Sequence, residues 1–206
     1  AYLIDDSGSP IAVRQSPFYA YFPTSIESDL SFLVNAPFET TPARDNLKTC
    51  SENDFLFDDI ATLVLKSLDI IRSNHTLEVF SCMPIKHNHI YKNGTDIIYN
   101  QVKNYFNTRH VWPTNDGLFC SIQHVVFPSD DTFYNLLSTN QLRQLNKNKS
   151  IHWISKDIKN IKFKPLKEFL IGELKISQFT PEDFAANYDS KIFKNCLPNW
   201  FVDFYK

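Results

Sequence analysis

The chain has 206 residues, 43% hydrophobic, 15% aromatic and 21% charged, with a formal net charge of −2. This composition describes a globular chain with enough apolar surface for one large domain or two small ones, and it excludes disorder as the main state. Glycine is scarce at 4 residues, where average usage gives about 14, so a Gly-rich phosphate-cradling loop is excluded, and the near-neutral charge offers no basic field for nucleic acid.

Ala1 to Ile4 and Ile11 to Val13 read as a hairpin around the turn Asp5-Asp6-Ser7-Gly8. Two aromatic-rich strands follow at Phe18-Tyr-Ala-Tyr-Phe-Pro and Leu30-Ser-Phe-Leu-Val-Asn-Ala-Pro-Phe, with Pro23 to Asp29 as a polar connection. Thr40-Thr-Pro-Ala-Arg-Asp-Asn is too poor in apolar residues for a strand and is broken for helix by Pro42, which makes it a loop holding a single cation, Arg44. A strong helix comes next. Ser51-Glu-Asn-Asp54 has capping-box spacing, and Leu56, Ile60, Leu63, Val64, Ser67, Leu68 and Ile71 are expected to share the face that packs on the sheet. Acids crowd its first turns at Asp54, Asp58 and Asp59, with Lys66 and Arg72 toward its end, as the helix dipole favours.

The expected domain boundary falls at 85/86, with residues 1–85 as an α/β unit and 86–206 as a mixed, mainly helical subdomain with a short β-hairpin. Thr95 to Phe106 has helical spacing, and Leu118 to Phe127 is an extended apolar run after the turn Asn115-Asp-Gly. Short helices are predicted at Thr132 to Leu137, Thr139 to Leu145, Phe163 to Leu174, Pro181 to Tyr188 capped by Thr180, and Pro198 to Tyr205. The lysines between Lys147 and Lys175 are interrupted by Asp157, Glu168 and Glu173 and read as a solvated face.

Signals for chemistry are few. His87 and His89 stand at strand spacing, but no third ligand with obvious spacing accompanies them, and a metal needs three or four. Asp5-Asp6 and Asp130-Asp131 sit in turn and helix-start contexts that explain them without acid/base work. Cys50, Cys82, Cys120 and Cys196 form no C-x-x-C pair and read as reduced cysteines of a cytoplasmic protein. The glycosylation sequons at Asn74, Asn93 and Asn148 carry no weight without a signal peptide, and no apolar run approaches the ~18 residues of a membrane helix. Arg44 stands out. It leaves an aromatic strand, precedes Asp45, Asn46 and a capped helix, and its guanidinium can either hold a bound phosphate bidentately or pair with a neighbouring acid and pin the loop.

The stretches Phe18-Tyr-Ala-Tyr-Phe-Pro-Thr and Leu30-Ser-Phe-Leu-Val-Asn-Ala-Pro-Phe-Glu-Thr-Thr-Pro-Ala-Arg44-Asp-Asn resemble the segment after the nucleotide domain in sacsin-like and ninety-kilodalton heat-shock-chaperone-like ATPases. These belong to the GHKL superfamily, with gyrase and MutL. Val111-Trp-Pro-Thr-Asn-Asp-Gly-Leu-Phe, His152-Trp-Ile-Ser and Asn199-Trp-Phe-Val-Asp-Phe-Tyr extend the resemblance over most of the chain. It implies a mixed sheet packed by a long helix, similar to a ribosomal protein S5 domain 2-like transducer, in a middle region that follows a nucleotide domain. Arg44 would then contact the γ-phosphate of ATP, with Asn46 a weaker candidate for positioning the loop.

The nucleotide-binding elements of that family, including the helix with Glu and Asn and the Asp-x-Gly-x-Gly run, are missing here. No cofactor is therefore expected on this chain, ATP and magnesium belonging to the intact protein, and no stand-alone hydrolysis. The missing glycines are expected in a nucleotide-binding domain upstream of Ala1. Partners are that domain and protein clients, with no nucleic acid and no membrane. The alternative is a non-catalytic interaction module, for which an exposed apolar patch around Trp112, Trp153 or Trp200 would speak.

Overall fold

Asp5 builds the first turn of the computed structural model, its Oδ1 accepting from Ser7 N, Ser7 Oγ and Ser9 N at 2.9, 2.6 and 2.9 Å. The turn joins β1 (Leu3–Ile4) to antiparallel β2 (Pro10–Ile11), as predicted. The structure describes residues 1–13, 16–74, 77–83, 92, 94–160, 164–194, 196 and 198–204.

β3 (Pro17–Ala20) and β4 (Phe22–Glu27) run antiparallel around Tyr21, whose φ is +64°, and β5 (Val34–Asn35) pairs parallel with β3. The predicted polar connection at Pro23 to Asp29 is thus mostly strand. Thr24 and Ile26 turn inward while Pro23, Ser25 and Glu27 stay exposed, a two-residue alternation that the polar composition conceals. Conversely, the strand predicted from Leu30 to Phe38 shrinks to Val34–Asn35, and Leu30, Phe32 and Phe38 enter the core from irregular backbone.

α1 (Ser51–Asn74) is the long predicted helix, but it buries Asn53, Phe57, Ala61, Val64 and Leu68. Phe57 is the reason. Its ring meets Phe18 edge-on at 5.7 Å and Phe38 at 5.2 Å, which turns the helix so that Leu63 is 64% exposed. A buried ring of this kind contributes roughly 1.5–3 kcal/mol, enough to decide between two faces that are both apolar. The Ser51–Asp54 capping exchange is not made; Asp54 N donates to Cys50 O at 3.2 Å and Ser51 Oγ turns to Glu52. Gly94, at φ +83°, passes so close to Phe57 that an added Cβ would lie 2.0 Å from its Cδ2, so both conformation and space require glycine there.

The chain continues through α2 (Thr95–Thr108), β6 (Trp112–Pro113), β7 (Phe119–Cys120), β8 (Val125–Pro128), α3 (Thr132–Leu136), α4 (Thr139–Leu145), β9 (His152–Trp153), α5 (Lys156–Asn160), α6 (Lys164–Glu168), β10 (Ser177–Phe179), α7 (Pro181–Asn187) and α8 (Pro198–Phe204). It divides into two compact units, Ala1–Tyr105 with Lys162–Glu173, and Phe106–Ile161 with Leu174–Lys206. The sequence places a division at 85/86, whereas the first compact unit runs on to Tyr105, inside α2. Most of that helix belongs to the first unit because it docks on α1: Tyr105 donates its hydroxyl to Asp69 and Gln101 Nε2 reaches Asp58 at 3.5 Å.

The second unit contains the expected hairpin, β6 antiparallel to β7 around Gly117 at φ +77°, and also a three-stranded parallel sheet in the order β10–β8–β9 that periodicity does not predict. Its core packs Trp153 edge-on to Phe179 at 5.6 Å, and Phe179 edge-on to Phe133 at 5.1 Å. α7 starts as predicted, with a reciprocal Thr180–Asp183 capping box and proline in its first turn. Among the described residues the architecture is mixed α/β, with eight α-helices, several small sheets and no barrel.

Candidate functional site

The loop that carries Arg44 is tied at its base. Thr40 bridges Leu47, Lys48 N donates to Glu39 O at 2.9 Å, and the Lys48 and Glu39 side chains form a 3.0 Å ion pair. Asn53, 2% exposed in the first turns of α1, staples this base: its Nδ2 donates to Glu39 O and Lys48 O at 2.9 and 2.8 Å, and its Oδ1 accepts from Glu39 N at 2.9 Å. Sequence spacing marks Asn53 only as a helix-start residue. The one available signal was a polar side chain at a position whose i+4 neighbour is Phe57.

Within the loop, the Thr41 hydroxyl donates to Asp45 Oδ1 at 2.6 Å and accepts from Asn46 N at 3.2 Å, and Thr41 N donates to Asn46 O at 3.0 Å. Asn46 therefore shapes the loop through its backbone, while its exposed side chain has no hydrogen bond among the described residues.

Arg44 sits at the tip with φ +57°, a left-handed conformation that costs a non-glycine residue energy and needs surrounding contacts to hold it. Those contacts are present. Arg44 O accepts from Ser25 N at 3.1 Å, and Nη2 donates to Ala20 O and Phe22 O, both at 2.9 Å. The guanidinium thus clasps the β3–β4 turn at Tyr21, itself left-handed. Asp45, the nearest acid in sequence, is occupied by Thr41, and among the described residues no carboxylate pairs with Arg44. Of the two roles left open by the sequence, pinning the loop is performed through carbonyls rather than through an acid. Among the described residues Nε and Nη1 have no partner, which leaves the donor set an incoming oxyanion needs.

A second polar cluster, missed by the sequence reading, forms in the other unit. The β6–β7 turn presents Asp116, whose Oδ1 accepts from the Thr114 hydroxyl at 2.7 Å and whose Oδ2 lies 2.8 Å from His152 Nδ1. A carboxylate can only accept, so Nδ1 carries a proton toward Asp116, while Arg143 Nη2 lies 2.9 Å from both ring nitrogens. Arg143 Nε also donates to Ile151 O at 2.9 Å. Burial alone would raise the Asp116 carboxyl, but the bonds from Thr114 and His152 and the attraction of His152 outweigh it and hold the group below its ordinary value. Burial and then the Asp116 charge push the Cys120 thiol up, which keeps it protonated. Burial and the nearby carboxylate thus both disfavour a Cys120 thiolate, so the cluster supplies no activated nucleophile. The cluster ties a turn to β9 and α4.

His87 and His89 lie outside the described residues. Among those described, no group of three His, Cys, Asp or Glu side chains could hold a metal ion, and no helix is long and apolar enough to cross a membrane. Among the described residues no disulfide is formed; Cys82 and Cys120 are buried and Cys50 and Cys196 half-buried. Comparison with protein-family models, curated proteins and solved structures gave no match.

Proposed function

We propose that this chain is a middle, transducer-type region of a chaperone-type GHKL ATPase, and that Arg44 is its contribution to the γ-phosphate of ATP held by the nucleotide domain of the intact protein. The observation that carries this reading is a guanidinium without a carboxylate partner among the described residues, oriented at a loop tip by two backbone carbonyls with three N–H donors to spare. A cation held in that way stabilises charge developing on a transferred phosphoryl group without reorganising at the moment of reaction. The small mixed sheet β4–β3–β5 with α1 laid on it is compatible with a transducer fold. The same reading sets the protein in the cytoplasm. ATP and magnesium are ligands of the intact protein in this reading, and this chain alone hydrolyses nothing.

The test is ATP turnover by the intact protein. Arg44→Ala is expected to lower kcat tenfold or more, in keeping with loss of a charge-stabilising donor, while Asn46→Ala has a smaller effect. Unchanged turnover in the Arg44 variant, or an intact protein that neither binds nor hydrolyses ATP, would sink the proposal.

The second reading, a non-catalytic interaction module, draws on a different surface from the tryptophans. Trp112 and Trp153 are 0% and 1% exposed, and the indole N–H groups of Trp112, Trp153 and Trp200 donate to Phe106 O, Leu137 O and Leu136 O. Tyr21 and Phe22 are instead 79% and 72% exposed on the turn that Arg44 holds. A Tyr21→Ser, Phe22→Ser double variant that loses a partner in pull-down while the Arg44 variant keeps it would favour this reading over the first.

A further inference from the structure

α1 is apolar on two opposite sides. Asn53, Phe57, Ala61, Val64 and Leu68 form the buried face. Phe55, Leu63 and Ile70 lie on the other side, 70%, 64% and 64% exposed. At ideal helical periodicity, Phe55, Asp59, Thr62, Leu63, Lys66 and Ile70 occupy one arc about 100° wide, centred nearly opposite the buried face. All six are exposed, and neither Asp59 nor Lys66 has an ion-pair partner among the described residues of its own chain. A row of exposed apolar side chains along one helix face is a candidate interaction surface.

The order of residues along the stripe specifies the occupant. We propose that it pairs with the same stripe on a second copy of this chain, the two α1 helices running antiparallel about a two-fold axis between Thr62 and Leu63. In that arrangement Phe55 meets Ile70 of the second copy, Asp59 meets its Lys66, and the Thr62 methyl meets its Leu63. Each pairing recurs on the other side of the axis, as a two-fold interface requires. A parallel arrangement would set Asp59 against Asp59 and Lys66 against Lys66, so charge selects the antiparallel form. Steps of three or four residues along the stripe are those of a helix-pairing seam. A cavity of about 190 Å³ opens beside Leu63 at the edge of the stripe, lined by Phe32, Val34, Asn35, Ile60, Val64 and Ser67.

From Phe55 to Ile70 the seam is about 22 Å long. That places the contact at the small end of specific interfaces, and the dimer is weak, dissociating in roughly the micromolar range. The pairing does not depend on the ATPase reading.

Sedimentation velocity of the 206-residue protein over roughly a hundredfold range of concentration about that value tests it, with circular dichroism as the control for folding. The wild type is expected to pass from monomer to dimer, and Leu63→Glu to remain monomeric. Asp59→Lys and Lys66→Asp alone should each weaken association on the order of tenfold by setting like charges together, and the double variant should restore it. A wild type that stays monomeric throughout overturns the proposal. So does a dimer that survives Leu63→Glu, or one in which the charge-swapped double variant is no better than the single variants.

Discussion

The two compact units leave different groups exposed. The second turns a polar cluster inward: the Asp116, His152 and Arg143 side chains engage one another, and the tryptophan N–H groups are all bonded to carbonyls. The first leaves a cation with spare donors at the Arg44 loop tip, an exposed aromatic pair at Tyr21 and Phe22, and an apolar stripe on the outside of its longest helix. A satisfied cluster makes structure, whereas unsatisfied donors and uncovered apolar area are what a ligand or partner can use. That contrast sets the Arg44 loop and the α1 stripe apart as surfaces open to a ligand or partner, even though the second unit contains the chemically richer set of side chains.

Three perturbations test the contrast. The largest effect is expected from Trp153→Ala in the second unit, which empties the space between Leu137 and Phe179 and leaves the Leu137 carbonyl without its donor. Urea unfolding should show a loss of about 3–5 kcal/mol, in line with large-to-small changes in a packed core. A loss under about 1 kcal/mol would mean that this core is loosely packed.

Asn53→Ala in the first unit removes three hydrogen bonds and strands backbone groups of Glu39 and Lys48. It is expected to cost about 2–4 kcal/mol and, unlike the tryptophan change, to expose the loop carrying Arg44 to proteolysis. Wild-type resistance of that loop in the variant would show that Thr41 and the Thr40–Leu47 bridge are sufficient to hold it.

The smallest effect is the pH response of Asp116. Its folded carboxyl titrates below its ordinary value of 3.8, so its contribution is fully present at neutral pH and is lost only as pH falls below about that value. Because Asp116 is partly exposed, the contribution is expected to be under about 1 kcal/mol. Comparing acid unfolding of Asp116→Asn with wild type checks it; identical pH profiles would place the acid sensitivity elsewhere.

Helix limits were legible in the sequence to within a residue or two at Thr139–Leu145 and Pro181–Asn187, because caps and apolar spacing are local signals. The orientation of α1 was legible only in part. Of the face read from spacing, Val64 and Leu68 are buried, Leu56, Ile60, Ser67 and Ile71 half-buried and Leu63 exposed, because burial centres on Phe57 between Phe18 and Phe38. β4 was hidden because Pro23, Ser25 and Glu27 make it polar on its outer side. The parallel sheet β10–β8–β9 was hidden because its strands are two to four residues long and find one another across long stretches of chain. Arg44 was visible as a lone cation in a loop. Its carbonyl partners, Ala20 and Phe22, were not.

By itself, then, the sequence determined a mixed α/β chain, a 24-residue helix after a loop with one arginine, the Asp5 turn, the Asn115-Asp-Gly hairpin and the capped helices of the second half. These follow from interactions between residues a few positions apart. Only the tertiary structure decided which side of α1 faces water, that Asn53 ties the Arg44 loop to the helix, and that His152 is sealed between Asp116 and Arg143. Each of those outcomes depends on groups brought together from distant positions. No periodicity records them, because their energies come from burial and hydrogen-bond satisfaction after the chain has closed on itself.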